Sequence, residues 1–219
     1  TIEEKTNLQI DHYIEVSFAG FTGIVDALGG IEVCSKVAID DPKSHLVLAA
    51  GTHTLNGIEA LKYVRTRDFD GRGDIGRMER QQQFVGAVLR KATSSGVLLN
   101  PIKLTNFYNA AISSVKMDAS VTKNDLLTLA KQLRNLSSGN VRTLTVPISN
   151  PNGRHPTAGS VVIWDDVLAA NLWTKIRNDE ALLETVKPTA SASAKPVTID
   201  KFKTKTAADN PCAAIDSRA

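Results

Sequence analysis

The spacing of apolar residues along this chain switches repeatedly between the period of a β-strand and that of an α-helix. Residues 12–18 alternate between apolar and polar types, with Ile14, Val16 and Phe18 on one side, as in a strand with one buried face. The apolar residues that follow recur at helical spacing and stop at Gly29-Gly30, a pair typical of a helix end. A chain with this alternation must place helices against a sheet to bury both kinds of apolar face.

The same pattern continues toward the C-terminus. We expect strands at 31–34, 63–67, 141–146 and 161–164, helices from about 56, at 75–91, from 101, from 122 and at 165–176, and a polar loop over 35–53. This order predicts the α/β class, as a three-layer α/β/α sandwich around a central mixed sheet. From Lys187 onward Pro, Thr, Ala, Ser and Lys dominate, so we divide the chain into a domain over residues 1–184 and a low-complexity tail over residues 185–219.

Composition limits the classes of function. The net charge of +3 on 219 residues is too small to indicate nucleic-acid binding, and we expect no nucleic-acid partner. The sequence contains no apolar run of about 18 residues, the length that a membrane-spanning helix needs. It opens at Thr1 without the pattern of a signal peptide. We therefore expect part of a longer protein, with any membrane anchor upstream of Thr1.

The two cysteines, Cys34 and Cys212, are far apart in the sequence. Cys212 follows Asn210-Pro211 in a polar tail, where no packed element is predicted to bury a thiol. A long-range disulfide that ties the tail to the domain explains this position, and it favours an oxidising compartment. Two free buried thiols are the alternative.

The most informative stretch holds five arginines between Arg65 and Arg80. On a strand, Arg65 and Arg67 would project from the same face, where two guanidinium groups repel each other unless an anion lies between them. Guanidinium is planar, permanently charged and matches the oxygens of phosphate in bidentate fashion. Phosphate is therefore the anion that this pair predicts.

The predicted helix that follows continues the arrangement. Arg77 and Gln81 are one turn apart and share a helical face with the apolar residues Phe84, Val85 and Val88. Because the N-terminus of a helix carries a partial positive charge, a phosphate there would be bound by both the dipole and the arginine.

Carboxylates surround these arginines in the sequence. Asp74, just before the helix, is predicted to cap its N-terminus and to pair with Arg77. The alternative is a solvated basic face whose arginines pair with Asp68, Asp70 and Glu79 as well. Four arginines and a glutamine directed at one strand-to-helix junction favour a diphosphate site instead.

Several motifs in the first half of the chain resemble the LytR-CpsA-Psr family. They are Ile10–Val16, Val25–Val33, Gly51–Gly57, Ala60–Arg67 and Asp74–Gln81, in the family's order. The positions of the two cysteines resemble those of actinobacterial members. The resemblance fades after about residue 136.

The resemblance implies an α/β/α domain around a polyprenyl-lipid pocket, and Mg²⁺-assisted attachment of teichoic acid, capsule or arabinogalactan-type polymers to peptidoglycan. It puts the diphosphate and catalytic signature on Arg65, Arg67, Asp74, Arg77 and Gln81, with Arg80 as an adjacent substrate contact. The family's upstream strand, with an arginine and the aspartates that hold Mg²⁺, is absent from these 219 residues. The metal ligands are therefore expected upstream of Thr1, and none is named here.

A polyprenyl-diphosphate also needs an apolar cavity beside the arginines. We expect its walls to be the helix carrying Phe84, Val85 and Val88 and the helix carrying Leu104, Phe107 and Tyr108. The alternative is that these side chains fill an ordinary core.

These expectations combine into an extracytoplasmic phosphotransferase, held at the cytoplasmic membrane by an anchor outside this chain. Its substrates would be a polyprenyl-diphosphate-linked glycopolymer and a peptidoglycan acceptor. Arg65, Arg67 and Arg77 would hold the diphosphate, Gln81 would orient an oxygen and Asp74 would fix Arg77. The alternatives are a hydrolase that releases the same lipid to water, and a non-catalytic module that binds anionic polymers.

Overall fold

The computed structural model describes residues 1–67, 69–94, 105, 109, 115–122, 124–126, 128, 132, 140–186, 197–199, 202, 204–206 and 212. Within them the helices are α1 (Ile2–Thr6), α2 (Phe18–Ala27), α3 (Gly57–Arg65), α4 (Gly73–Ser94) and α5 (Asp166–Arg177). The strands are β1 (Ile14–Val16), β2 (Ile31–Ser35), β3 (Ile39–Asp41), β4 (Leu46–Leu48), β5 (Gly51–Leu55), β6 (Val115–Met117), β7 (Arg142–Thr143), β8 (Ile148–His155), β9 (Gly159–Trp164), β10 (Glu184–Val186), β11 (Val197–Ile199) and β12 (Lys205–Thr206). The α/β class predicted from the sequence is confirmed.

The chain divides into two compact units, and each is described by itself. One comprises His12–Thr143 with Thr206–Ala219, and the other comprises Thr1–Asp11 with Leu144–Lys205. Neither unit ends at residue 184, the predicted end of the domain. That boundary stays a prediction.

The core of the unit His12–Thr143 with Thr206–Ala219 is formed by α2, α3, α4 and the antiparallel strand pairs β2–β5 and β3–β4. Gly29 and Gly30, with φ of 76° and 86°, end α2 as predicted and return the chain into β2. The core side chains are Val25, Leu28, Ile31, Val33, Ile39, Leu46, Leu55, Ala60, Tyr63, Val64, Phe84 and Ala87. Because every one of these elements contributes an apolar face, α3 and α4 are fixed on the same core.

A capping box fixes the start of α3. The side chain of Asn56 accepts a hydrogen bond from the Glu59 N–H at 3.0 Å, and the Glu59 carboxylate accepts one from the Asn56 N–H at 3.0 Å. The Gly57 N–H donates to Asp26 of α2 at 2.7 Å. The capping box therefore fixes the first turn of α3, and the Gly57 hydrogen bond ties this helix to the end of α2.

The prediction of a strand over residues 63–67 is wrong, because Tyr63, Val64 and Arg65 form the last turn of α3. Ala60, Tyr63 and Val64 follow one another at helical spacing and all three are buried. A short segment with Tyr and Val has strand propensity, but the cap at Asn56 and this buried helical face decide otherwise. Arg65 and Arg67 consequently do not project from one strand face.

The prediction of a polar loop over 35–53 is also wrong. This segment contains β3, β4 and most of β5, and the β3–β4 hairpin pairs Ile39 with Leu48 and Asp41 with Leu46. Ile39 and Leu46 are 1% and 4% exposed. Short strands need only single apolar residues alternating with polar ones, so a segment that is polar overall can still form them.

A disulfide joins Cys34 of β2 to Cys212, with the two Cα atoms 5.6 Å apart across a sequence separation of 178 residues. Cys212 is fully buried. The predicted disulfide is confirmed.

In the unit Thr1–Asp11 with Leu144–Lys205, β8 and β9 pair in antiparallel fashion with two register irregularities. The helix α5 begins after Asp165, whose side chain accepts a hydrogen bond from the Leu168 N–H at 2.9 Å. Leu172 of α5 is fully buried. The rings of Trp164 and Trp173 lie 5.7 Å apart, so that this helix is anchored at the end of β9.

Candidate functional site: an arginine cluster at the junction of α3 and α4

The arginine-rich stretch forms a helix end, a connecting segment and the start of the next helix. Arg65 is the last residue of α3, Thr66 is its C-cap and Arg67 follows outside the helix. The helix α4 then begins at Gly73, so that Asp74 lies within its first turn rather than just before it as predicted. A carboxylate in a first turn interacts favourably with the helix dipole.

One carboxylate holds two of the predicted site arginines together. Asp74 Oδ1 lies 3.3 Å from Arg67 Nε and 2.6 Å from Arg77 Nη2. Oδ1 is shielded from solvent and the pairs lack hydrogen-bond alignment, so the contacts are mainly electrostatic. The side chains of Arg67 and Arg77 remain 50% and 37% exposed. The predicted pairing of Asp74 with Arg77 is confirmed, and its bridging to Arg67 was not foreseen.

Arg65 has a different neighbour. Its guanidinium carbon lies 5.2 Å from the centroid of the Phe18 ring, at the start of α2. Among the described residues Arg65 forms no ion pair, and both side chains are exposed. A guanidinium held over an aromatic face keeps its hydrogen-bond donors directed outward. Nothing in the sequence marked Phe18 as part of this site, because 47 positions of chain separate it from Arg65.

Gln81 and Arg80 bind the backbone that carries these arginines. Gln81 Nε2 donates to the Val64 carbonyl at 3.2 Å, and Arg80 Nη2 donates to the Thr66 carbonyl at 2.5 Å. Both carbonyls belong to the end of α3, where helical hydrogen bonds run out. In this structure both side chains of α4 therefore hold the end of α3 in place.

Arg80 is an interior side chain. It is 4% exposed, its Nη1 donates to Asp70 Oδ2 at 3.0 Å, and its guanidinium carbon lies 4.6 Å from the centroid of the Phe69 ring. Its Nη1 and Nη2 groups donate to protein groups, whereas the sequence predicts a substrate contact. That contact stays a prediction, and the structure supplies a positioning role for this residue.

Asp70 pairs with both the buried Arg80 and the exposed Arg72. Burial raises the pKa of its carboxyl, but the hydrogen bond from the Arg72 N–H and the charges of Arg80 and Arg72 outweigh it and hold the pKa below its ordinary value. Arg72 also donates to Glu79 at 2.7 Å, and this bond raises the pKa of Arg72. Both groups therefore stay charged at neutral pH, and the turn between Arg67 and α4 is fixed by ion pairs.

The backbone of Arg67 is held from the other side by Asp41 of β3. Asp41 Oδ2 accepts a hydrogen bond from the Arg67 N–H at 3.0 Å, and Asp41 is 2% exposed. Burial raises the pKa of Asp41, but the N–H groups of Arg67, Lys43 and Ser44 outweigh it and lower the pKa. The sequence predicts a polar loop at Asp41 and gives no signal for this contact, since only the tertiary structure brings β3 beside the end of α3.

The apolar side of α4 is divided between core and surface. Phe84 is 3% exposed and its ring lies 5.2 Å from that of Phe21, while Val88 packs at the edge of the core. Val85 is 52% exposed, so the prediction that it shares this apolar face is wrong. Phe107 lies outside the described residues, so the apolar cavity stays a prediction.

The described residues contain neither a cluster of metal-ligand side chains nor a membrane-spanning helix. They include no group of three or more His, Cys, Asp or Glu side chains placed to hold a metal ion. Within the same part of the chain, no helix combines the length and the hydropathy needed to cross a bilayer.

Comparison with known proteins identifies the family. A model of the LytR_cpsA_psr family matches residues 1–178. The chain belongs to this family. Among curated LytR_cpsA_psr relatives, it is 39% identical over 164 residues to the cell wall biosynthesis protein LcpA of Corynebacterium glutamicum, which covers 75% of the chain and 31% of LcpA. It is 30% identical over 151 residues to TagV of Bacillus subtilis, a polyisoprenyl-teichoic acid–peptidoglycan teichoic acid transferase, with 67% of the chain and 37% of TagV covered.

Solved structures show the same fold. The crystal structure of B. subtilis TagV matches with a TM-score of 0.65 at 24% identity, covering 83% of this chain and 69% of TagV. The LytR-Csp2A-Psr enzyme from Actinomyces oris matches with a TM-score of 0.58 at 27% identity, covering 76% of this chain and 64% of that enzyme. By sequence, the chain covers 31% of LcpA and 41% of LcpB of the same organism, so it spans well under half of these curated relatives.

Proposed function

We propose that this protein transfers a glycopolymer phosphate from a polyprenyl-diphosphate carrier to peptidoglycan. The observation that carries the proposal is that Arg67 and Arg77 share the carboxylate of Asp74, with Arg65 exposed at the end of α3 two residues before Arg67. Three positive charges and one negative charge leave a net charge of +2 on these four side chains, which suits a diphosphate. Relatives named as teichoic acid transferases supply the chemical class of the donor and acceptor.

The proposed reaction is an in-line displacement at phosphorus. A sugar hydroxyl of peptidoglycan attacks the phosphorus next to the glycopolymer and forms a new P–O bond, and the hydroxyl proton passes to solvent. The bond to the carrier phosphate breaks, and that phosphate leaves with the electron pair as a polyprenyl monophosphate. Arg67 and Arg77 would offset the charge that develops on the leaving phosphate.

Mg²⁺ and location are further parts of the proposal. The family resemblance implies Mg²⁺, which would screen the diphosphate charge, but the described residues offer no ligand group for it. We therefore assign the arginines a role that does not depend on the metal.

Action on the cell wall by the relatives supports an extracytoplasmic location, with a membrane anchor outside this chain.

The proposal is tested by following a labelled polyprenyl-diphosphate glycan in the full-length protein with and without peptidoglycan. We expect glycan on peptidoglycan only when the acceptor is present. Arg67→Ala and Arg65→Ala should each weaken binding of the lipid by about 1.5–3 kcal/mol, as expected for lost charged hydrogen bonds.

Arg72→Ala is the matched control, because this exposed arginine pairs with Asp70 and Glu79 in the same connecting segment. Release of the glycan phosphate to water at the same rate with and without acceptor would favour the hydrolase. Lipid binding without turnover would favour the non-catalytic module. Unchanged binding in both arginine variants, with the fold intact, would exclude the arginine cluster as the diphosphate site.

A further inference from the structure

Asp41 is a buried carboxylate with two distinct sets of partners. Its Oδ1 accepts hydrogen bonds from the N–H groups of Lys43 at 2.9 Å and Ser44 at 3.3 Å, which form a local turn. Its Oδ2 accepts a hydrogen bond from the N–H of Arg67 at 3.0 Å, 26 residues away. One oxygen therefore shapes the β3–β4 turn and the other reaches the arginine cluster.

A turn alone does not require a carboxylate at this position. Asn and Ser make the same local turn with a neutral side chain, without the cost of burying a charge. Asp41 is 2% exposed, so the charge must be stabilised by the groups around it. The second oxygen supplies what a neutral residue lacks, namely an acceptor for Arg67 while the first oxygen keeps the turn.

Two carbonyls close to the Arg67 N–H are also fixed by side chains. The Val64 and Thr66 carbonyls accept hydrogen bonds from Gln81 and Arg80 of α4. Asp41 binds the next N–H from β3. The main chain on both sides of Thr66 is consequently fixed by groups from two different elements.

We propose that Asp41 is a positioning residue for Arg67, fixing the main chain from which this guanidinium extends toward Asp74 and the bound diphosphate. The inference rests on the proposed function, since it assumes that Arg67 binds the diphosphate. A fixed backbone lowers the entropy lost when a long side chain is ordered on its ligand. Asp41 acts through Arg67 and does not touch the substrate.

The test is a double-mutant cycle on the binding of inorganic pyrophosphate, measured by calorimetry with the full-length protein. The variants are Asp41→Asn, Arg67→Ala and the two together, with unfolding by urea measured for each. Asn presents one oxygen and one N–H₂ group, so it can serve either the turn or Arg67 but not both. Asp41→Ser is the second variant, because a hydroxyl keeps a local turn acceptor and is too short to reach Arg67.

We expect Asp41→Asn and Asp41→Ser to weaken pyrophosphate binding about 2- to 12-fold, the range that corresponds to ordering one long side chain. In the Arg67→Ala background the same substitutions should leave binding unchanged, although they lower the free energy of unfolding equally in both backgrounds. In NMR spectra, the Arg67 Nε–H signal is assigned by its loss in Arg67→Ala. Its chemical shift should change on addition of pyrophosphate in the wild type, and change less in either Asp41 variant.

Each other outcome overturns the inference. Equal weakening in both backgrounds, or no weakening at all, would mean that Asp41 contributes only to the fold. Failure of both Asp41 variants to fold would also assign Asp41 to the fold rather than to Arg67. If Arg67→Ala binds pyrophosphate like the wild type, the proposed function fails together with the inference, and this result is distinct from the others.

Discussion

Arginines that look alike in the sequence lie in different environments. Arg80 is 4% exposed and bound to Asp70 and the Thr66 carbonyl, whereas the side chain of Arg72 is 52% exposed although it shares Asp70. The difference arises from helical geometry, since Arg80 lies one turn before Phe84 on the buried side of α4. An ion pair in the interior is costly to break, while an exposed pair contributes little.

We therefore expect Arg80→Met to lower the free energy of unfolding by about 2–4 kcal/mol. The substitution leaves the buried Thr66 carbonyl without its donor and leaves Asp70 without its buried cationic partner. The measurement is equilibrium unfolding in urea. Arg72→Met removes an arginine from the same carboxylate and should cost less than about 1 kcal/mol. Equal losses in the two variants would contradict the interior role of Arg80.

At the scale of elements, the site depends on how closely α2 and α3 approach. A Cβ atom placed on Gly57 would lie 2.7 Å from the Thr22 Cα, so the backbone of α2 occupies the space that a side chain would need. This approach brings Phe18 of α2 beside Arg65 at the far end of α3. The position of Arg65 is thus set by helix packing as well as by its own sequence.

Gly57→Ala should destabilise the protein by about 1–3 kcal/mol, as overpacking against a rigid backbone does. Gly23→Ala is the matched control within α2, since no atom beyond the neighbouring backbone of its own helix lies within 4 Å of the added Cβ. That substitution should stabilise the protein by about 0.5–1 kcal/mol through higher helix propensity. Thermal unfolding of the two variants measures both effects, and a tolerated Gly57→Ala would show that the helices can move apart.

At the scale of the whole molecule, the disulfide closes a very long loop. Cys212 belongs to the segment Thr206–Ala219, which joins the same compact unit as Cys34 of β2. The link therefore returns the end of the chain to the unit that carries the arginine cluster. Constraining the unfolded chain in this way stabilises the folded state.

The double variant Cys34→Ser, Cys212→Ser should lower the free energy of unfolding by about 2–5 kcal/mol. A reducing agent should produce a similar loss in the wild type and no change in the double variant, which separates the disulfide from the packing of the two side chains. Two free thiols in a peptide map made without reduction would contradict the link.

Much of the candidate site could be predicted from local sequence. Guanidinium groups repeated on both sides of a helix start indicate an anion site whatever the fold, and Asp74 three residues before Arg77 is close enough to pair on the same helix. The cap at Asn56 and the glycines after α2 specified helix ends because they satisfy backbone groups locally. The arginine motif and the family resemblance follow from the order of residues alone.

Tertiary structure decided the parts that depend on distant partners. Residues 63–67 have strand propensity, but Tyr63, Val64 and Arg65 end a helix and Thr66 caps it, since burying Ala60, Tyr63 and Val64 in the core outweighs a weak local preference. Asp41, Phe18 and Arg80 acquire their contacts only when β3, α2 and the turn after Arg67 meet at the end of α3. The sequence by itself determined the charge and the caps and predicted the class of ligand, because those depend on residue chemistry and short spacing. The fold determined which arginines face solvent and which are buried, because burial depends on residues far apart in the chain.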